Sequence, residues 1–319
     1  MKTTGKVPTV QHYTIGEESE GQRIDNFLLR VLKGVPKSHV YRILRSGEVR
    51  VGGRRIKPDY RLALKDEVRV PPIRLAQTAA PAVPVGEPLA VAHEDEAVLV
   101  VDKPAGLAVH GGSGVSFGVI EQLRRQRPQA KLLELAHRLD RETSGLLVVA
   151  KKRVALTGFH EMFREGQVEK RYLALVRGRW MNPIQHVKFA LEKYLTEEGE
   201  RRVAVNPEGK RAHSVVRLVS RWEQFSLVEV EIKTGRTHQI RVHLAHLGFP
   251  IAGDDKYGDF PLNKALQKQG LKRMFLHAAK LSFNHPQSGE RIALQSALPA
   301  ELQDFIDTLA REQRCDYSS

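Results

Sequence analysis

The chain has 319 residues, with 51 Lys and Arg against 37 Asp and Glu, which leaves a formal net charge of +14 at pH 7. This length predicts about two domains, and 41% hydrophobic residues suit soluble, folded domains rather than a disordered chain. No apolar run is long enough for a membrane span, and the one cysteine excludes an intrachain disulfide framework and a cysteine-clustered zinc site. The start, MKTTGKVPTV, lacks the apolar segment of a signal peptide, so we expect a cytoplasmic protein with no membrane partner.

The positive charge is concentrated in one segment. Residues 21–74 hold fourteen Lys and Arg and five acids, a surplus of 9, whereas the other 265 residues contribute only 5. So local a surplus favours a phosphate-binding surface. A generally basic surface without a specific partner is the alternative.

The same segment carries the signals of a small domain. A first helix is predicted by an apolar face that repeats every three or four residues: Ile24, Phe27, Leu28, Val31 and Leu32. A second helix is predicted to begin with Ser38 as its N-cap and to end before Gly47. Residues 49–51 then alternate like a strand, a turn follows at 52–53 (GG), and a closing strand is predicted at 66–70.

This order of helix, helix, hairpin and strand resembles the S4 family of small RNA-binding domains. The resemblance covers residues 21–70 and depends on the run RIDNFLLRVLKGVPKSHVYRILRSGEVRVGGRRIKPDYRLALKDEVRV. It implies an RNA-binding surface, for which the polar side offers Lys37, Arg42, Arg45, Arg54 and Arg55.

The composition changes after this domain. Residues 71–88, PPIRLAQTAAPAVPVGEP, are rich in Pro and Ala and show no periodic pattern, which is typical of a semi-stiff linker. We therefore expect an N-terminal extension at 1–20, an S4-like domain at 21–72, a linker at 73–88 and a second domain at 89–319.

The second domain shows a mixture of strand and helix patterns. Buried strands are predicted at 97–101 (AVLVV), 145–150 (GLLVVA) and 172–176 (YLALV), and a half-buried, alternating strand at 225–232 (FSLVEVEI). Helices are predicted around Leu156, Phe159 and Phe163 and at 238–247. Because strands and helices do not alternate regularly, we expect an α+β fold in which helices flank a mixed, largely antiparallel sheet.

The most informative loop is HRLDRETSG at 137–145, which runs into a buried strand. Polar loops on a rigid scaffold are frequent positions for catalytic groups. Arg138 and Arg141 flank Asp140, and nearby guanidinium groups keep a carboxylate ionised, as a nucleophile or base requires. The alternative is a structural Asp–Arg pair, with Thr143 and Ser144 bonding the loop backbone.

Four stretches together resemble the pseudouridine synthases of the RluA type. HRLDRETSG is similar to the HRLDxxTSG signature of that family. The other three, in order, are DKPAGLAVH at 102–110, KRYLALVRG at 170–178 and TGRTHQIRVHLAHLGFPIAGDDKYG at 234–258. The resemblance covers roughly residues 90–300 and implies the pseudouridine synthase fold.

The resemblance also implies residue roles. Asp140 corresponds to the catalytic aspartate, and Arg241 to the arginine that pairs with it. Tyr172 corresponds to the tyrosine that stacks on the target base and is a candidate to remove its C5 proton. Arg138 corresponds to the arginine that helps to displace the flipped base. The motif residues expected to shape the site without a catalytic role are Lys103, Thr143 and Ser144.

Together the motifs imply an enzyme that converts uridine to pseudouridine. The S4-like domain in front of them implies large-subunit ribosomal RNA as the partner. The product is an isomer of the substrate, so we expect no cofactor and no metal, and we expect a monomer. Asp140 could attack the nucleoside covalently or take the 2′ proton to give a glycal, and both routes stay open. A non-catalytic RNA-binding or ribosome-assembly protein that keeps the fold is the alternative function.

Three other patterns have competing interpretations. GVSFG at 114–118 has the form of a hydrolase nucleophile elbow, but a glycine-rich loop rather than a strand precedes it. His238, His243 and His246 could suggest a metal, but they lack a zinc motif and we expect them to form hydrogen bonds. The run RRQR at 124–127 could contact phosphate or form an exposed helix face.

Overall fold

The protein is described by a computed structural model that covers residues 9–32, 34–73, 87–111 and 117–316, with side chains up to residue 311. The chain divides into two compact units, Met1–Pro84 and Val85–Ser319. Within the described residues, no helix is both long enough and apolar enough to cross a membrane. Most of the predicted linker and the serine of GVSFG lie outside the described residues.

The first unit pairs two helices with a small antiparallel sheet. Its elements are β1 (Gln11–Thr14), α1 (Ile24–Val31), α2 (Lys37–Arg45), β2 (Arg50–Val51), β3 (Arg54–Arg55) and β4 (Glu67–Val70). The described strands lie in the order β1-β4-β2-β3. Ile24, Phe27 and Leu28 of the predicted helix face are buried in the core, which confirms the helix–helix–hairpin arrangement.

Two details of this unit differ from the expectation. Helix α2 begins at Lys37 with Pro36 as its N-cap, so Ser38 lies inside the first turn and does not cap it. Strand β1 comes from the stretch expected to be an extension, and it pairs with β4 from Gln11↔Val70 to Thr14↔Glu67. The sheet of this unit therefore includes residues that precede position 21.

The second unit is built on a large mixed sheet. Its strands are β5 (Ala90–Glu94), β6 (Val98–Lys103), β7 (Glu134–Leu135), β8 (Ser144–Ala150), β9 (Glu169–Arg177), β10 (Ile184–Val187), β11 (Leu191–Leu195), β12 (Arg201–Val205), β13 (Ser214–Arg221), β14 (Phe225–Ile232), β15 (Leu276–Asn284) and β16 (Arg291–Gln295). Its helices are α3 (Val119–Gln126), α4 (Arg153–Glu165), α5 (Gln239–His246), α6 (Phe260–Lys268) and α7 (Ala300–Asp316).

The main sheet has the order β10-β13-β14-β9-β15-β8-β6-β5, with β16 beside β15 and β7 beside β8, while β11 and β12 form a separate hairpin. Among the described pairs only β15 and β8 run parallel. This confirms the α+β architecture with a mixed, largely antiparallel sheet.

Strand β14 differs from the prediction of a half-buried strand. Seven of its eight residues are buried. Glu229 and Glu231 give it an alternating appearance, yet their carboxylates are covered by ion pairs with Arg171 and Lys280 and with Arg217, respectively. Paired carboxylates can be buried on a sheet face where unpaired ones could not, so alternation alone overestimated the exposure of this strand.

Strand β15 brings two of the sequence motifs together. Its residue Ala278 pairs with Gly145 of β8 on one side and with Tyr172 of β9 on the other. Gly145 has a φ of +107°, and a Cβ at this position would lie 2.3 Å from the Ala278 carbonyl oxygen. Only glycine permits so close an approach, and the glycine of HRLDRETSG therefore helps to set the loop of Asp140 beside Tyr172.

Candidate active site

One cavity of the second unit contains all four residues for which the resemblance implied a role at the reacting base. It has a volume of about 480 Å³ and lies between residues 136–140, strand β9 and residues 235–241. Asp140, Tyr172, Arg241 and Arg138 line it. Three motifs that are distant in sequence therefore converge on one space.

Asp140 supplies the single carboxylate of this lining within the described part of the chain. Its side chain is 18% exposed. On one side Arg241 Nη1 lies 3.4 Å from Asp140 Oδ2, and His238 Nε2 lies 3.9 Å from the same oxygen. The carboxylate is thus flanked by nitrogen atoms of Arg241 and His238 and lines the cavity.

The loop of Asp140 is braced by the motif DKPAGLAVH. Lys103 is fully buried, and its ammonium donates hydrogen bonds to the carbonyls of Pro104, Leu107 and Arg141 at 2.8, 2.8 and 3.0 Å. The backbone N–H of Gly106 also donates to the Arg141 carbonyl. Burial lowers the pKa of Lys103 to about 7. Lys103 lies beneath the loop and outside the cavity lining, as expected of a residue that shapes the site.

The two hydroxyl residues of the loop point to different surroundings. Thr143 lines the cavity, and its backbone N–H donates to the Asp140 carbonyl at 3.2 Å. Ser144 is buried away from it, where its hydroxyl lies 2.9 Å from His277 Nδ1 and accepts a hydrogen bond from Arg273 Nη2. These bonds join the end of the loop to β15.

Tyr172 presents a buried aromatic ring to the cavity from the middle of β9. Its side chain is 6% exposed. Burial raises the pKa of Tyr172 above its usual range, and the negative charge of Asp140 raises it further. The phenol is therefore neutral at physiological pH, and Tyr172 lines the cavity together with Asp140.

Arg241 is held mainly by a carboxylate that sequence reasoning missed. Its Nη2 and Nε donate to the two oxygens of Asp254 at 2.6 and 2.7 Å, a bidentate pair in which both residues are almost fully buried. The more exposed Asp255 accepts a third bond at 3.0 Å. Burial alone would lower the pKa of Arg241, but these carboxylates raise it. The contact with Asp140 is thus the longest of the four that Arg241 makes with carboxylates. In the sequence, Asp254 was visible only as one residue of the motif at 234–258.

His238 is a second residue whose position could not be foreseen. It precedes α5 as the N-cap, with a φ of +52° in the left-handed region that non-glycine residues rarely occupy. Its Nδ1 lies 2.8 Å from the Tyr257 hydroxyl, whose oxygen accepts a hydrogen bond from the Val203 N–H. The ring of His238 therefore lies between two groups, with Nδ1 toward the Tyr257 hydroxyl and Nε2 toward Asp140.

The remaining predicted cations fall into two groups. Arg138 is exposed at the cavity, and its side chain has no hydrogen-bond partner among the described residues. The other five are exposed residues of the first unit: Lys37, Arg42, Arg45, Arg54 and Arg55. All five therefore belong to the first unit, whereas Arg138 belongs to the second.

Within the first unit, Arg55 also has a local structural partner. Its Nη2 donates to the carbonyls of Ser46 and Arg45 at 2.8 and 3.3 Å, where α2 ends. Gly47 permits this contact, because a Cβ there would lie 2.1 Å from Arg55 Nε. Arg55 therefore ties the hairpin to the helix.

The alternative patterns have structural explanations where they are described. His243 lies between the Ser214 hydroxyl and the Phe189 carbonyl at 3.0 Å from each, and His246 packs edge-on against the Phe189 ring. In the run at 124–127, Arg124 donates to the Leu133 carbonyl and Arg127 pairs with Glu94. These contacts account for two of the three arginines by packing within the unit.

Comparison with known proteins agrees with the geometry. The family described as RNA pseudouridylate synthase matches residues 97–246, and the S4 domain matches residues 22–68. Two relatives are named ribosomal large subunit pseudouridine synthase C. The one from Yersinia pestis is 51% identical, covering 98% of each chain; the one from Escherichia coli K12 is 49% identical, covering 97% of this chain and 99% of that one.

Solved structures show the same fold. The structure titled human RNA pseudouridylate synthase domain containing 1 has a TM-score of 0.58 at 26% identity, covering 73% of this chain and 96% of that one. The structure titled human RNA pseudouridylate synthase domain containing 4 has a TM-score of 0.57 at 26% identity, covering 69% of this chain and 93% of that one. Near-complete coverage at about half identity, together with the converging motifs, shows that this chain belongs to the RNA pseudouridylate synthase family.

Proposed function

We propose that this protein converts specific uridines of large-subunit ribosomal RNA to pseudouridine, with Asp140 as the catalytic carboxylate. The observation that carries the proposal is the cavity in which Asp140, Tyr172 and Arg241 meet. The names of the relatives support the substrate class.

The chemistry balances without another reactant. The bond between N1 of uracil and C1′ of ribose breaks, the uracil turns, and a bond forms between C5 and C1′. The proton on C5 leaves to a base and N1 gains one. Asp140 serves this sequence either by attacking the nucleoside or by accepting the 2′ proton. We infer that the reaction uses no cofactor or metal.

The target base must leave its helical stack before it can enter the cavity, at a cost of a few kcal/mol. Stacking on Tyr172 offsets about 1–3 kcal/mol of this cost. Arg138, exposed at the cavity, is suited to occupy the space that the base vacates. Arg241, fixed by Asp254, orients the carboxylate of Asp140.

The first unit supplies affinity through its exposed cations Lys37, Arg42, Arg45, Arg54 and Arg55. We propose that they bind phosphates of the same RNA. We propose that the protein acts as a monomer, because one chain supplies every residue named for the reaction. We also propose that it acts in the cytoplasm.

The experiment is an incubation of the protein with unmodified transcripts of large-subunit ribosomal RNA, small-subunit ribosomal RNA and transfer RNA, followed by mapping of pseudouridine. We expect new pseudouridines at a few fixed positions of the large-subunit transcript alone. Modification confined to transfer RNA or to the small-subunit transcript would contradict the substrate, and modification of none would contradict the proposed activity.

A further inference from the structure

Lys170 is a cation of the cavity that has no role in the reaction proposed for Asp140. It lies on β9 two residues before Tyr172, so both side chains leave the strand on the cavity side. Its Nζ lies 4.7 Å from the centroid of the Phe163 ring. The side chain is half-buried, and no carboxylate or other hydrogen-bond partner meets the ammonium within the described residues.

The next residue, Arg171, lies on the opposite face of β9 and differs from Lys170 in having carboxylate partners. Arg171 pairs with the carboxylates of Glu169 and Glu229. A partly buried charge normally has such a partner, because its desolvation is otherwise uncompensated. Burial lowers the pKa of Lys170 to about 8, so most molecules still carry the charge at neutral pH. The cation–π contact with Phe163 compensates part of the desolvation but uses none of the three N–H donors, so within the described residues the ammonium can still donate hydrogen bonds to an anion.

The surroundings of Lys170 select the sign of the ligand. The lining also includes two exposed cations, Arg164 of α4, which follows Phe163 in sequence, and Arg236, which follows Gly235. Gly235 lies beside the ammonium, because a Cβ built at this position would be 4.0 Å from Lys170 Nζ. Asp140 is the one lining carboxylate among the described residues, and Arg241 already contacts it. The described lining next to Lys170 is thus cationic.

We propose that Lys170, with Arg164 and Arg236 at the rim, forms a phosphate subsite that binds the phosphodiester next to the flipped uridine. The inference rests on the proposed function and adds a binding site to it. Tyr172 then holds the base while Lys170 holds the backbone of the same nucleotide, so one strand reads both parts. A phosphate contact of this kind fixes register without reading sequence.

The test compares Lys170→Met with Lys264→Met, a matched change at an exposed lysine of α6. Binding to a large-subunit ribosomal RNA transcript is measured at several salt concentrations. We expect Lys170→Met to bind about tenfold more weakly and to lose about 0.7 from the slope of log affinity against log salt, the share of one single-strand phosphate. Lys264→Met should match the wild type, and Lys170→Arg should keep most of the slope.

Two further readings separate a phosphate contact from other roles. In an assay of tritium release from C5-labelled RNA, Lys170→Met should raise KM and leave kcat and its pH profile unchanged. A lower kcat with an altered pH profile would assign Lys170 to proton transfer and overturn the proposal. The melting temperature should stay the same or rise, because a desolvated charge is removed, and a fall would indicate a structural role. An unchanged salt slope would also overturn the proposal. If wild type releases no tritium from any RNA, the proposed function fails, while the binding slopes still decide the subsite.

Discussion

Arg241, which lines the active-site cavity, forms a bidentate ion pair at 2.6 and 2.7 Å with the buried Asp254. The arginine reaches Asp140 only with its remaining nitrogen, at 3.4 Å. Asp254 itself is fixed by the backbone N–H groups of Lys256 and Tyr257. The guanidinium beside the proposed catalytic carboxylate is therefore held by a second carboxylate and cannot turn freely toward the first.

Asp254→Ala should destabilise the second unit and reduce catalysis together. Removal of one partner of a buried ion pair leaves an uncompensated charge and costs about 3–5 kcal/mol. Asp255→Ala is the matched comparison, because Asp255 contacts the same guanidinium but is 67% exposed, and it should cost less than about 1 kcal/mol. Urea unfolding of both variants measures the difference. Equal losses of unfolding free energy would contradict the central place of the Asp254 pair.

Tyr172→Phe should separate stacking from the chemistry of the hydroxyl. The phenylalanine ring keeps the stacking face, so affinity for RNA should stay near that of the wild type. Because burial keeps the phenol neutral, the hydroxyl can act as a proton donor but not as a ready base, and its removal should lower the rate of tritium release by about a hundredfold. Tyr172→Leu should lose the stack as well, weakening binding by about 1–3 kcal/mol. A fully active phenylalanine variant would show that the hydroxyl takes no part.

His137 should make stability depend on pH. Its Nε2 accepts a hydrogen bond from the Val148 N–H at 3.1 Å, which protonation would remove, and burial lowers the pKa of His137 to about 3. Between pH 6.5 and 3 the unfolded chain binds a proton that the folded chain does not, so the free energy of unfolding falls as the pH falls through this window.

The comparison for this prediction is His137→Gln, whose amide oxygen can accept the same bond without titrating. Denaturant unfolding from pH 7 to pH 4 should show wild type losing about 1 kcal/mol per pH unit more than the variant. Parallel curves for the two proteins would exclude His137 as the titrating group.

Arg54 and Arg55 are adjacent in sequence and should behave differently. Arg55→Gln removes a cation from the carbonyl end of α2 and should destabilise the first unit by about 0.3–1 kcal/mol. Arg54 makes no such contact among the described residues, so Arg54→Gln should leave stability unchanged and lower the salt slope of RNA binding by about 0.7–0.9. Thermal unfolding measures the effect on stability, and RNA binding at several salt concentrations measures the effect on the salt slope. Loss of stability in the Arg54 variant alone would reverse the assignment.

Much of the fold followed from local sequence patterns. The apolar face of α1 predicted a buried helix, and the runs 97–101, 145–150 and 172–176 predicted strands that the structure confirms as β6, β8 and β9. These elements carry their signal in consecutive residues, because one face or both faces are apolar.

What the sequence did not show depends on partners distant along the chain. Strand β1 has three exposed residues of four and is defined by its pairing with β4. The parallel pairing of β8 with β15, which sets the place of the Asp140 loop, leaves no local pattern. The roles of Asp254 and His238 depend on contacts that form only when α5 and the following loop fold against Asp140. The four residues placed in the cavity came from motif resemblance, not from periodicity.

The most direct test of the account is the release of tritium from large-subunit ribosomal RNA labelled at uracil C5, with Asp140→Asn against wild type. The amide keeps the size of the side chain and removes the charge that attacks or accepts a proton. Asp304→Asn, at an exposed position of α7, controls for the loss of one carboxylate. We predict that wild type and the control release tritium while Asp140→Asn binds RNA equally well and releases no more than RNA without enzyme. Release by Asp140→Asn at the wild-type rate would contradict the assignment of Asp140 as the catalytic residue.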